Sequence, residues 1–168
     1  MAFLGGGLLT KAGVPTSGVA QVETADIVGT ITLAGNAKFT ITSALVTGSP
    51  LDVLVAVALN DDATAVATKA AAVLNANATV SAHYVASTST SHLKLTAIKS
   101  AANDATLNIA FTNDDCTGLT PDASSNDTTA GVKGDYRGME YGTVVADTTN
   151  TNLYHNTGST LVPTWTLL

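Results

Sequence analysis

Only one stretch of this 168-residue chain repeats its apolar residues at three- and four-residue spacing, while most other patterned segments alternate in twos. From Asp62 to Ala76, Ala63, Val66, Ala67, Ala70, Val73 and Leu74 recur along one side, with Thr64, Thr68 and Lys69 opposite. Asp62 stands where a side-chain oxygen can accept from an orphan amide, so the spacing predicts a helix over 62–76. Its inward residues are small, which suits a helix lying close on a sheet.

Strands are predicted on both sides of it. Ile27–Leu33 alternates, Gly35-Asn36 interrupts, and Lys38–Thr42 alternates again, which predicts a hairpin with a two-residue turn. Leu51–Leu59 is apolar on both faces, through Leu51, Val53, Val55, Val57 and Leu59 on one and Leu54, Ala56 and Ala58 on the other. Such a strand belongs inside a sheet or beneath another subunit. Residues 80–86, 93–97 and 107–111 alternate as three more half-buried strands. The expected fold class is α+β: a β-β-β-α-β-β-β core over 25–115, mostly antiparallel, covered by one helix.

The flanks differ in texture. Residues 1–24 are Gly-rich and aperiodic, which predicts an N-terminal arm; 116–130 is a linker loop by composition; 131–168 is a β-rich C-terminal tail. The tail holds Tyr136, Tyr141, Tyr154 and Trp165, three of the four tyrosines and the only tryptophan. Large rings near a terminus need something to pack against. The tail either forms an interface with a second subunit or folds back on its own sheet. The candidate interface residues are Phe3 and Leu4 of the arm and Tyr136, Tyr141, Tyr154, His155, Pro163, Trp165 and Leu167 of the tail.

Composition narrows the function classes. Charged residues are only 12% of the chain, the net charge is −6 and no Lys/Arg cluster occurs, so no footprint for a phosphate backbone exists and nucleic acid is not an expected partner. No apolar run reaches membrane-spanning length, and the first nine residues lack a basic region before an unbroken apolar one, so no membrane partner is expected and assembly is predicted in the host cytosol. Cys116 is the single cysteine, which leaves no intrachain disulfide.

Chemistry has little to stand on. The sequence lacks a G-x-S-x-G elbow and a phosphate loop, and Gly5-Gly6-Gly7 reads as a spacer. His83 and His92 fall on one polar face of neighbouring strands and could approach each other, but a zinc site needs a third ligand. Asn60-Asp61-Asp62 reads as a helix cap and Asn113-Asp114-Asp115 as a strand-ending turn; neither has calcium-loop spacing. No catalytic residue, no metal ligand and no cofactor are assigned, and the chain is expected not to be an enzyme.

The stretch Asp52–Val57, Asn60–Ala76, His83–Ser87 and Leu93–Ala97 resembles a module of virion structural proteins in tailed bacteriophages. Gly134-Asp135-Tyr136-Arg137 and Leu153–Gly158, with Pro163-Thr164-Trp165-Thr166, resemble the ending of phage head decoration, cement or head-fibre proteins. The resemblance implies a non-enzymatic decoration protein that binds the outer capsid surface as a homo-oligomer, commonly a trimer, and reinforces the shell. Its implied partners are further copies of itself and the major capsid protein, and its implied location is the virion. The competing readings are a tail or neck component of tube or sheath type, and a host-surface adhesin. A sheath protein is usually much longer, and an adhesin is expected to carry an aromatic and carboxylate cluster that the sequence lacks.

Overall fold

The computed structural model describes residues 9–168. Phe3 and Leu4, and all of the arm before Leu9, lie outside the described residues. In chain order the elements are β1 (Leu9–Lys11), β2 (Val22–Asp26), β3 (Gly29–Leu33), β4 (Gly35–Thr42), β5 (Leu51–Val57), α1 (Ala63–Ala76) and α2 (Ala78–Ser81). They continue as β6 (Tyr84–Ser89), β7 (His92–Ala97), β8 (Asn108–Asn113), β9 (Thr117–Leu119), β10 (Asn126–Thr129), β11 (Val144–Asp147), β12 (Leu153–Asn156) and β13 (Trp165–Leu167). The protein is mostly β-sheet with one principal helix, an α+β chain. It divides into two units: a larger one of Gln21–Ile98 and Asn103–Ala130, and a smaller one of the chain up to Ala20, Lys99–Ala102 and Gly131–Leu168.

The larger unit contains three sheets rather than the one expected: β10-β2-β7-β6, β5-β4-β8 and the pair β3-β9, all antiparallel. Their inward residues form one core, in which the Phe39 and Phe111 rings stack at 5.8 Å among Ile31, Ile41, Val55, Leu93, Leu95 and Ile109. The helix α1 adds Val66, Ala67, Ala70, Ala71 and Leu74, and Asp62 caps it by accepting from Ala65 N at 2.8 Å. Asn75 of α1 reaches the outer edge of β6, donating to Ala86 O and accepting from Ala86 N, both at 2.8 Å. One side-chain amide thus completes a peptide that would otherwise leave the sheet open.

Several local expectations are corrected. The Gly35-Asn36 hairpin does not form: both residues lie inside β4, Gly35 opposite Val57, and β3 pairs with β9 instead of β4. Asp115 accepts from Asn36 N–H, which occupies that polar pair without a turn. Residues 80–83 are not strand, because Asn77 accepts from Thr79 N and Val80 N and starts α2; β6 begins only at Tyr84. Val22–Thr24, assigned to the arm, belongs to β2, which pairs with both β7 and β10. Its alternation is hidden because Glu23 is polar yet faces inward. The expected loop 116–130 contributes β9 and β10, and Asp122 bridges to Phe111.

β5 is an edge strand, paired only to β4. Its second apolar face, Leu54, Ala56 and Ala58, is exposed, with Leu54 at 52%. Leu59 lies past the strand end and is exposed as well.

β3 and β9 approach closely at Gly29 and Gly118, whose φ angles are +119° and +115°. A Cβ on Gly118 would stand 2.1 Å from Thr30 O, and one on Gly29 would stand 2.2 Å from Gly118 O.

Candidate interaction surface

The smaller unit is a four-stranded sheet in the order β1-β11-β12-β13. β1 runs parallel to β11, with Leu9 opposite Val145, and β11, β12 and β13 are antiparallel. Among the described residues its buried apolar cluster is Val145, Tyr154 and Trp165, with Leu9 and Tyr136 packed against them. Trp165 is 8% exposed, meets Tyr136 edge to face with centroids 6.0 Å apart, and donates its indole N–H to Asp135 O at 3.2 Å. Pro163 is buried and its carbonyl accepts from Gly18 N at 2.7 Å.

With so few apolar residues beneath it, the sheet depends on polar side chains that tie its loops. Asn156, fully buried, donates to Met139 O at 2.9 Å and accepts from Gly158 N and Thr164 N at 2.9 and 3.1 Å. Asp147, also buried, accepts from Gly13 N and Thr149 N, both at 2.8 Å, and from the Asn150 side chain at 2.8 Å. Asp135 pairs with Lys11 and accepts from Thr16 N at 2.6 Å. The sequence marks none of these three as more than turn formers, because Asn and Asp have the same composition signal in loops.

Burial alone would raise the Asp135 and Asp147 carboxyls, but the bonds that they accept hold both below the usual carboxylate range, Lys11 foremost for Asp135 and Asn150 for Asp147. A carboxyl lowered on folding stabilises the folded chain above its unfolded pKa, about 3.9, and loses that contribution as pH falls through the lower folded value. We expect the amides of β11 and β12 to lose protection as the pH drops below about 4. Asp147→Asn should flatten this acid limb while lowering stability at pH 7, where its new amide opposes that of Asn150. Hydrogen exchange measured from pH 2 to 7 checks both.

The predicted site residues separate. Trp165 and Tyr154 are buried within their own unit, with Tyr136 packed against them, and Pro163 is buried there too, so within the single chain these side chains do not stand on an open face. Tyr136 also donates its hydroxyl to Thr10 O at 2.5 Å. Tyr141, at 73%, and Leu167 remain exposed. His155 is half-buried on the sheet's other face. Register places two rows there: Val144, His155 and Thr166, and beside it Thr10, Ala146, Leu153 and Leu168. Leu153 and Leu168 are exposed, and no Asp, Glu, Lys or Arg stands in either row. This face, without acidic, Lys or Arg side chains, is the candidate surface.

In the larger unit, His83 and His92 lie at opposite ends of the β6–β7 hairpin, since Tyr84 pairs with Ala97 and Ser89 with His92. His92 Nε2 instead stands 3.2 Å from Asp26. Ser43, Tyr84 and Asp104 form a polar cluster: the Tyr84 hydroxyl is 2.8 Å from Ser43 Oγ, which donates to Asp104 at 2.9 Å. Burial pushes the Tyr84 phenol up, so it stays protonated and serves as a hydrogen-bonding strut. Among the described residues, no group of three His, Cys, Asp or Glu side chains could hold a metal ion. No helix of the described residues is long and apolar enough to cross a membrane.

No family model, curated protein or solved structure matches the chain. The candidate surface therefore stands on geometry and on the motif resemblance.

Proposed function

We propose that this chain is a non-enzymatic structural protein of a tailed-phage virion, decorating the capsid exterior as a homo-oligomer, most simply a trimer. The observation that carries the reading is the outer face of β1-β11-β12-β13. It has no Asp, Glu, Lys or Arg side chain in its two rows, bears Leu153 and Leu168, and lies over a small apolar cluster that, among the described residues, is built on Val145, Tyr154 and Trp165. A sheet with so small a core gains from covering its second face. Further support comes from the resemblance of the segments around Tyr136 and Tyr154–Thr166 to the endings of head decoration proteins. A shell-bound protein draws on several weak contacts made together, so each one can be small.

The test uses Leu153→Lys, which places a charge in the apolar row at a side chain already exposed. Circular dichroism should not change, while self-association weakens by about tenfold or more, as loss of an interface anchor does. Co-sedimentation with undecorated capsids should fall with it. Unchanged assembly and capsid binding would move the contact to another surface. A wild-type chain that is monomeric and does not bind capsids would remove the reading.

A further inference from the structure

Glu23 is the least explained residue of the larger unit. It is 2% exposed, sits on the inward face of β2 opposite Leu95 of β7, and one carboxylate oxygen, Oε2, is buried without a hydrogen-bond partner. The other, Oε1, accepts from Ser125 Oγ at 2.5 Å. Ser125 is in turn fixed to β8, accepting from Ile109 N and donating its own N–H to Asn108 Oδ1, both at 2.8 Å.

Directly across from Glu23 on the other neighbouring strand is Asp127 of β10. Two carboxylates opposite each other on an antiparallel pair repel. All four β10 residues are exposed, and the strand is joined to β2 through a bulge between Asp127 and Thr129. Its side-chain ties are few: the Thr128 hydroxyl, 2.9 Å from that of Thr24, donates to Val22 O at 3.1 Å, and Asn103 donates to Asp127 at 2.6 Å. A short exposed edge strand of this kind is among the first parts of a fold to open.

The other groups around Glu23 offer it no positive charge. From β6 comes the Tyr84 phenol, beyond it Asp104, from β8 Asn108, and from β7 Leu95, with Lys94 on the opposite sheet face beside Thr24. A buried carboxylate with one unpaired oxygen, no cation and a second carboxylate across the strand is held most cheaply as the neutral acid.

We propose that Glu23 and Asp127 form a proton-operated clasp: β10 stays paired to β2 while Glu23 carries a proton, and detaches when Glu23 ionises, uncovering the edge of β2. The sign follows from linkage. The closed state holds the proton more tightly than the open one, because burial, aided by Asp127, outweighs the Ser125 hydrogen bond that favours the ionised form, so opening becomes more favourable as pH rises above the ordinary Glu value. The opening constant grows about tenfold per pH unit between the two proton affinities and is level outside that window. Burial of Glu23 thus works against the lowered aspartates, which stabilise the fold as pH rises.

Hydrogen exchange of the full chain from pH 5 to 8, corrected for the intrinsic pH dependence of exchange, tests the clasp. Protection at Asn126–Thr129 should fall with rising pH while α1 and β4 stay protected. Glu23→Gln should hold those amides closed throughout, and Asp127→Asn, which leaves the buried acid in place, should shrink the pH dependence. Protection that is flat with pH in the wild-type chain, or the same slope in Glu23→Gln, overturns the proposal. So does loss of protection in α1 and β4 together with β10, which would mean global unfolding. A Glu23-dependent gain of β10 protection with calcium at pH 8 would assign the pair to a cation instead and also overturn it.

Discussion

Trp165→Ala should unravel the β1-β11-β12-β13 sheet. Removing a buried tryptophan costs about 3–5 kcal/mol, and among the described residues only Val145 and Tyr154 share its buried cluster. The substitution also strips the edge-to-face partner from Tyr136 and leaves Asp135 O without the indole donor. Such a loss is on the scale of the whole stability of a small unit. Exchange of the amides in 144–167, with limited proteolysis of 131–168, should show this region opening while α1 and β4 remain protected. If instead β11–β13 keep their protection and only self-association is lost, Trp165 acts as a contact and its burial within the chain is not what matters. Trp165→Phe should fall between, keeping part of the packing and none of the N–H bond.

Gly118→Ala is expected to have the second large effect, in the other unit. A Cβ there would meet Thr30 O at 2.1 Å and Thr32 N at 2.7 Å, all backbone, so no side chain can step aside. The φ of +115° adds strain for any side chain. Together these should cost about 3 kcal/mol or more and separate β9 from β3. Gly48→Ala is the control. Its φ of +79° is also positive but no atom lies within 4 Å of the new Cβ, so it should lose only about 1 kcal/mol. Urea unfolding of the two variants separates conformational strain from collision; equal losses would mean that the β3–β9 approach is looser than it stands.

Much of the larger unit was legible because its physics is local. The helix α1 shows a 3.6-residue period and has its cap at Asp62, and β4, β7 and β8 alternate as inward and outward residues should. Mistakes arose where a local signal meets a long-range partner. Gly35-Asn36 has the chemistry of a tight turn, yet the strand continues through it because Val57 and Asp115 are there to pair with it. The same is true of Val22–Asp26, where a buried acid reads as an exposed one until its neighbours are known. Leu54, Ala56 and Ala58 imply a face covered inside a sheet or beneath another subunit; β5 is an edge strand, so the first of these is not what covers it.

The smaller unit shows a different limit. Concentrated aromatics correctly announce that 131–168 must pack on something, but an aromatic that fills its own core and one that anchors a partner look the same in sequence. What separates them is the strand register, which turns Tyr154 and Trp165 inward and His155 and Leu153 outward. Asn156 and Asp147, which hold the loops together, resemble any other asparagine or aspartate in a turn-rich segment.

The parallel pairing of Leu9–Lys11 with Val145–Asp147 sets a timetable for the chain as it is made. During synthesis Leu9–Lys11 must wait for β11, made after every strand of the larger unit, before they have that partner, and Gly13 waits with them for the Asp147 carboxylate. The larger unit, whose chain is complete by Ala130, can form during that interval. The sheet that bears the candidate surface is thus completed after the larger unit. A chain still being made therefore lacks this face until after the last residue of the larger unit has been added, so a copy cut short before β11 has no such surface to offer.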